Sequence, residues 1–466
     1  MSPRPIPVVL LALCLLAAAI QAHASATLLL EEPYGHMGFF TGTGHAAVYL
    51  SNICADDPLV LRPCNAGETG VVISRYDHVA GYDWLAIPLI PYLYAVDRPE
   101  DVPLFADAKM TLFLRDSYRR KHLESIAPDN ADGTAPGGNW YQLVGSSYDR
   151  TIYGFEIETT PAQDAALIRK LNASANRSRF HLASRNCADF AKDIVNFYYP
   201  KTLRRSVIAD VGITTPKQIS KLLVRFHERH PGIGFSRLVI AQVPGSMPRS
   251  TNPKGVVESF LKSKKYIVPS AIASPIFAGC VVAVYIGTGA GRFQPDRDAL
   301  VFNPGADPEP PLAAKDRKIY QRELKQMLAE SDPAAGKSPT KAWERLQSKA
   351  KTGLDEQDAP VVILKAQAGD EQIQIGASPG NVLNGAAPPE LAQQILAAHL
   401  QFELRHAPPN GISQAELIRD WQLLEQTMRR QVALREPAIQ PVEEQDSLPD
   451  QTPTGEAAPG ESASRR

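Results

Sequence analysis

The sequence of 466 residues predicts an α+β fold with a mostly antiparallel sheet. The prediction rests on the order of the elements, because strand-like segments come first and helices follow, without the regular alternation of a parallel sheet. Alternating or continuous apolar runs typical of strands occupy residues 26–31, 45–51, 70–76 and 151–158. Apolar residues at helical spacing occupy residues 160–172 and the stretches that follow Cys187 and Thr215.

The second predicted strand begins at a histidine. It follows the turn-forming residues 41–44, Thr-Gly-Thr-Gly, which mark its start. Alternation places His45, Ala47 and Tyr49 on one face of the strand. His45 is the candidate base. The small residues beside it leave room for the end of a helix.

A cysteine begins one of the predicted helices. Asn186 is a favourable N-cap, and Asp189 three residues later can complete a capping box. Cys187 is then the first helical residue, where free N–H groups and the positive end of the helix dipole favour a thiolate. Cys187 is therefore the candidate nucleophile, and the alternative is a buried, inert thiol.

These two segments together resemble a known superfamily. A strand reading Gly-His-Ala-Ala-Val-Tyr-Leu, followed far downstream by Asn-Cys-x-x-Phe at a helix start, is similar to the circularly permuted NlpC/papain-like proteins. Lecithin:retinol acyltransferase and its bacterial relatives belong to that group, in which the histidine precedes the cysteine. The resemblance covers roughly residues 26–200. It implies a papain-like domain over residues 25–260, with Cys187 as nucleophile and His45 as base.

The superfamily also implies a third polar residue, from the next strand, that orients the histidine. Here an insertion at residues 52–67 separates the two strands, which departs from the compact family pattern. Glu68 and Ser74 are the nearest candidates, with His78 behind them.

The N-terminus has the pattern of a secretory signal peptide over residues 1–24. Arg4 precedes an apolar run at residues 8–20, and Ala22-His23-Ala24 is a typical cleavage motif. The alternative is an uncleaved signal anchor. The pattern predicts an exported protein of the cell envelope.

The five cysteines fit an exported protein. Cys54 and Cys64 lie close together in the insertion, which predicts a disulfide in an oxidising compartment. Cys187 and Cys280 stay unpaired, and an unpaired cysteine in an exported domain is consistent with nucleophilic chemistry.

Residues 266–286 contain no charged residue and predict a transmembrane helix. The segment is long enough to cross a hydrocarbon core of about 30 Å and would shield Cys280. Pro269 and Pro275 are unfavourable for a regular helix, although membrane helices tolerate proline. We expect this helix to hold the exported domain in the inner membrane; the alternative is a buried helix of a soluble core.

The C-terminal part predicts a small α+β or helical accessory domain over residues 303–436. A hairpin is expected at residues 361–366 and 372–375, turning at Gly369-Asp370, with helices around Tyr320, over residues 391–404 and from Ser413. Residues 437–466 have the composition of a disordered tail.

Composition and motifs argue against two classes of function, nucleic-acid binding and zinc-dependent proteolysis. A net charge of −1 gives no reason to expect nucleic acid, and no cofactor or metal site is predicted. His227-Glu228-Arg229-His230 lacks the spacing of a zinc-protease motif. The superfamily resemblance, together with the predicted export and membrane helix, implies a membrane-tethered cysteine hydrolase or acyltransferase that acts on an amide or ester bond of a cell-wall peptide, another amide or a lipid. The alternative is a non-catalytic binding or scaffold protein with the same fold.

Overall fold

The computed structural model describes most of residues 24–310 and three strands beyond them. The described residues are 24–34, 42–77, 79–103, 106, 108–177, 180–243, 247–302, 304–305, 307–308, 310, 351–354, 360–368 and 371–376. This part of the chain is α+β, as the sequence predicted.

A seven-stranded sheet in the order β6-β5-β2-β1-β7-β8-β9 forms the centre of the fold. Its strands are β1 (Ser25–Glu31), β2 (His45–Leu50), β5 (Val71–Ser74), β6 (Leu85–Pro88), β7 (Ile152–Glu158), β8 (Phe235–Ile240) and β9 (Leu300–Val301). All neighbouring pairs are antiparallel except β8 and β9, which are parallel. The sheet is therefore mixed, because a helical crossover separates β8 from β9.

Helices cover both faces of this sheet. The α-helices of the described residues are α1 (Leu89–Tyr94), α2 (Ala108–His122), α3 (Ser146–Asp149), α4 (Pro161–Asn172), α5 (Cys187–Tyr198), α6 (Pro216–Arg229), α7 (Val256–Lys262), α8 (Lys264–Ala273) and α9 (Pro275–Thr288). Alternation along the central strand β1 divides the core: Leu28 and Leu30 pack with α5 and α6, whereas Leu29 packs on the side of α1 and α2.

The cysteine helix packs on a different face of β2 from the one that alternation suggested. Ala188 and Phe190 of α5 lie in one core cluster with Ala46 and Val48. His45 still contacts the helix. It is the first residue of β2 and is hydrogen-bonded to Cys187, the first residue of α5.

The predicted single helix over residues 266–286 does not form. The segment folds as α8 and α9, joined at Ser274 in an extended conformation with φ −153° and ψ 91°. The physical reason is Pro275, whose ring disfavours a helical conformation of the residue before it. Among the described residues, no helix is both long enough and apolar enough to cross a membrane.

The insertion after β2 is a two-stranded hairpin of β3 (Ile53–Asp57) and β4 (Val60–Pro63). Cys54 and Cys64 form the predicted disulfide there, with Cα atoms 4.9 Å apart. The hairpin is attached to α4, because the Asn172 side chain exchanges hydrogen bonds of 2.8 and 3.0 Å with the Leu61 backbone.

We expect replacement of both Cys54 and Cys64 by serine to lower the free energy of unfolding by about 2–3 kcal/mol. The reason is that the crosslink closes a short loop and restricts the unfolded chain. Denaturant titration of the oxidised wild type and the double variant measures the difference. Mass mapping of unreduced protein that finds both residues as free thiols would contradict the pairing.

Beyond residue 310 the structure describes the three-stranded sheet β10 (Lys351–Leu354), β11 (Pro360–Ala368) and β12 (Glu371–Gly376). β11 and β12 are antiparallel and form the hairpin expected there. Residues 1–23 of the signal peptide predicted over residues 1–24, the helices of the accessory domain and the tail over residues 437–466 lie outside the described residues.

Candidate active site

Cys187 lies at the start of α5, as the capping pattern predicted. The Asn186 side chain accepts a 2.9 Å hydrogen bond from the Asp189 N–H, and the Asp189 carboxylate accepts one of 3.4 Å from the Asn186 N–H. Since the cap accepts the third N–H of the helix, the first two, those of Cys187 and Ala188, have no partner within the helix. The thiol therefore lies beside two backbone donors at the positive end of the helix.

Buried polar contacts hold this helix start in place. The Asp189 carboxylate accepts hydrogen bonds from the Thr214 hydroxyl at 2.6 Å and from the Arg205 guanidinium at 2.9 Å. The Asn186 amide donates to the Leu182 and Thr214 carbonyls at 2.8 and 3.0 Å. A thiol on so constrained a helix end has a defined position, which catalysis requires.

His45 is hydrogen-bonded to Ser74, one of the two candidates for the third polar residue. Its Nε2 lies 2.9 Å from the Ser74 Oγ, and the same hydroxyl donates to the Ala46 carbonyl at 2.8 Å. Because the single hydroxyl proton is used by Ala46, Ser74 can only accept from Nε2–H. This contact selects the tautomer with a free Nδ1, which is the nitrogen left for the thiol.

Cys187 and His45 shift each other's pKa in the directions of an ion pair. Burial raises the pKa of the Cys187 thiol, but the charge and hydrogen bond of His45 and the Ala46 N–H lower it by more. Burial lowers the pKa of His45, but the Cys187 thiolate and the Glu31 carboxylate raise it by more. Both shifts move the pair toward thiolate and imidazolium, and both residues remain partly exposed to solvent.

A buried charge network that sequence reasoning missed lies behind His45. Glu31 is the strand partner of His45, is fully buried, accepts a hydrogen bond from the Tyr92 hydroxyl and lies 3.0 Å from the Arg150 guanidinium. Tyr76 bonds to Tyr92 and stacks on the His45 ring with centroids 5.3 Å apart. The sequence feature that could have indicated this network is Glu31, an acidic residue at the end of a mainly apolar strand.

Glu68, the other candidate for the third residue, lies outside this group. Its carboxylate receives two hydrogen bonds from Arg62, at 2.7 and 2.9 Å, and one from the Asn65 N–H at 2.6 Å. The Arg62 hydrogen bonds lower the pKa of Glu68 to about 2. Glu68 is thus bonded to the hairpin that carries the disulfide. His78 lies outside the described residues.

Cys280 differs from its predicted environment. It lies on α9 and is exposed, whereas the hydrophobic segment was expected to shield it. The reason is that the segment folds as two short helices at the surface of the domain and not as one enclosed helix.

Comparison with known proteins gives little further information. No family model matches the chain, and no curated protein matches it. Among solved structures, the chain is similar to the type VI secretion system effector TseH, at 12% identity and a TM-score of 0.22. The match covers 46% of this chain and 100% of that one. At this TM-score the match carries no argument about the fold or function of this chain.

Proposed function

We propose that this protein is a permuted papain-like cysteine hydrolase or acyltransferase that cleaves an amide or ester bond. One observation supports the proposal most directly. The Cys187 thiol begins α5 and is hydrogen-bonded to His45, while the other imidazole nitrogen is bonded to Ser74. This arrangement is that of an activated nucleophile, its base and an orienting group.

In the first half of the reaction, the Cys187 thiolate attacks the carbonyl carbon of the substrate. A carbon–sulfur bond forms, and the negative charge moves to the carbonyl oxygen. The N–H groups of Cys187 and Ala188 are the available donors for this oxyanion. When the intermediate collapses, the bond to the leaving nitrogen or oxygen breaks and the His45 imidazolium supplies its proton.

In the second half, the thioester on Cys187 is transferred to an acceptor. His45, now neutral, removes a proton from water or from another hydroxyl or amine, which attacks the thioester carbon. The carbon–sulfur bond breaks and the thiolate and imidazolium are restored. Water as acceptor makes the protein a hydrolase, and another nucleophile makes it an acyltransferase.

The substrate and location are further parts of the proposal. The pattern of residues 1–24 and the Cys54–Cys64 disulfide support export to the cell envelope. A cell-wall peptide or a lipid is then the substrate class that the resemblance favours.

The pH dependence of Cys187 alkylation by iodoacetamide tests the proposal. In the wild type we expect a midpoint below the ordinary thiol pKa of about 8.5. In His45→Ala the lowering contributions of the imidazole are lost, while burial and the Ala46 N–H remain, so the midpoint should rise. The thiolate fraction at pH 7 should then fall, and a midpoint of 8.5 would leave about 3% thiolate. Ser74→Ala should give a smaller shift in the same direction.

Glu68→Gln is the matched control, since Glu68 is bonded to Arg62 in the disulfide hairpin, and its profile should overlap that of the wild type. Peptide mapping by mass spectrometry separates Cys187 from Cys280. If the wild type and His45→Ala have the same profile, with a midpoint at or above the free-thiol value, the non-catalytic scaffold is the correct interpretation.

A further inference from the structure

The helices α8 and α9 expose apolar side chains to an unusual degree. Ile272 and Ile276, on either side of the joint at Ser274, are 80% and 82% exposed. Within the described stretch 271–280, only Ala278 is buried. We refer to α8 and α9 together as the apolar helix pair.

The composition of the apolar helix pair does not suit an aqueous surface. No charged residue occurs between positions 266 and 291, and apolar residues lie on all sides of both helices. A helix that is apolar all round is normally enclosed in a protein core or in lipid. Contiguous exposed apolar surface of this kind marks an interaction site.

Two contacts, one near each end of α9, attach the apolar helix pair to the domain. Lys221 of α6 donates to the Thr288 carbonyl at 2.7 Å, at the C-terminal end of α9. The Phe260 ring of α7 lies against Phe277, with centroids 5.9 Å apart. These contacts hold α9 near both of its ends, and the most exposed large apolar side chains of the pair are Ile272 and Ile276 beside the joint at Ser274, which we call its tip.

Basic and aromatic residues occupy the ends of the apolar segment. Lys264, Lys265 and Arg292 are exposed at its two ends, and Tyr266 and Tyr285 are the first and last aromatic residues within it. Aromatic side chains favour the headgroup level of a bilayer, and basic side chains there attract anionic lipids.

The lengths of the helices suit one leaflet. α8 has 10 residues and α9 has 14, which correspond to about 15 and about 21 Å. Each is shorter than the roughly 30 Å of a bilayer core and comparable to one leaflet of it. The pair can therefore enter a membrane from one side without crossing it.

We propose that the apolar helix pair is a docking element that inserts its tip, Ile272 and Ile276, into one leaflet of an anionic membrane. The inference is independent of the activity proposed for Cys187. The protein would then be attached to the membrane surface, with its domain on the same side of the membrane from which the tip enters.

Vesicle sedimentation tests the docking element with the full chain. Wild-type protein should bind vesicles of 70% phosphatidylcholine and 30% phosphatidylglycerol. Ile272→Asp/Ile276→Asp should bind at least tenfold more weakly. The matched control is Val207→Asp/Ile208→Asp, which changes two exposed apolar residues elsewhere, 78% and 67% exposed, and should bind like the wild type. Lys264→Gln/Lys265→Gln should lose roughly fivefold per lysine on these vesicles.

Cys280 provides a local measurement on α9. Vesicles should slow its modification by a positively charged, membrane-impermeant methanethiosulfonate at least tenfold. Cys187 in the same sample is the internal control, and its rate should not fall in parallel. Three results would overturn the proposal: no binding by the wild type, equal binding by the Ile272→Asp/Ile276→Asp variant, or unchanged Cys280 modification. A wild-type dimer in solution that this variant dissociates would assign the surface to a second copy instead.

Discussion

Replacing Cys187 by serine is expected to lower hydrolysis of p-nitrophenyl acetate, a generic acyl donor, at least about 10³-fold. The thiol and His45 shift each other's pKa toward an ion pair, which raises the fraction of nucleophilic thiolate before substrate binds. A serine hydroxyl has a far higher pKa and cannot form that pair with an imidazole. Release of p-nitrophenol, measured by absorbance, gives the rates and any stoichiometric burst from acylation.

Cys280→Ser is the control for this experiment, since Cys280 is an exposed thiol on α9. It should retain the wild-type rate. A Cys187→Ser variant that hydrolyses the ester as fast as the wild type would show that the reaction takes place elsewhere in the protein. Loss of activity in both variants would point to a general effect of cysteine replacement.

Replacing Arg150 by methionine is expected to lower the free energy of unfolding by about 3–5 kcal/mol. The side chains of Arg150 and Glu31 are 8% and 1% exposed and lie 3.0 Å apart, so the variant leaves the Glu31 carboxylate buried without its cation. Guanidinium titration of the wild type and the variant measures the loss.

Two further variants identify the cause of that loss. Arg120→Met removes an arginine that is 46% exposed and pairs with Asp116 and Asp129, and it should cost less than about 1 kcal/mol. Glu31→Gln combined with Arg150→Met should recover much of the stability, because the isolated charge is gone. An Arg150→Met variant as stable as Arg120→Met would contradict a buried ion pair behind His45.

Local sequence patterns were sufficient for several features of this protein. The capping box from Asn186 to Asp189 placed Cys187 at a helix start, because the residues that cap a helix are its immediate neighbours. The disulfide between Cys54 and Cys64 and the hairpin of β11 and β12 were predictable for the same reason. Pro275 indicated that α8 ends before it, although the long stretch without charged residues suggested one continuous helix.

Which residues surround Cys187 and His45 depended on contacts between distant parts of the chain. Glu68 is nearer than Ser74 to His45 in sequence, yet the pairing of β2 with β5 brings Ser74 to the imidazole, and Arg62 binds Glu68. Glu31 became the neighbour of His45 through the register of β1 and β2. Strand register is set by packing across the whole sheet, so a sequence can propose polar candidates but only the assembled sheet selects among them.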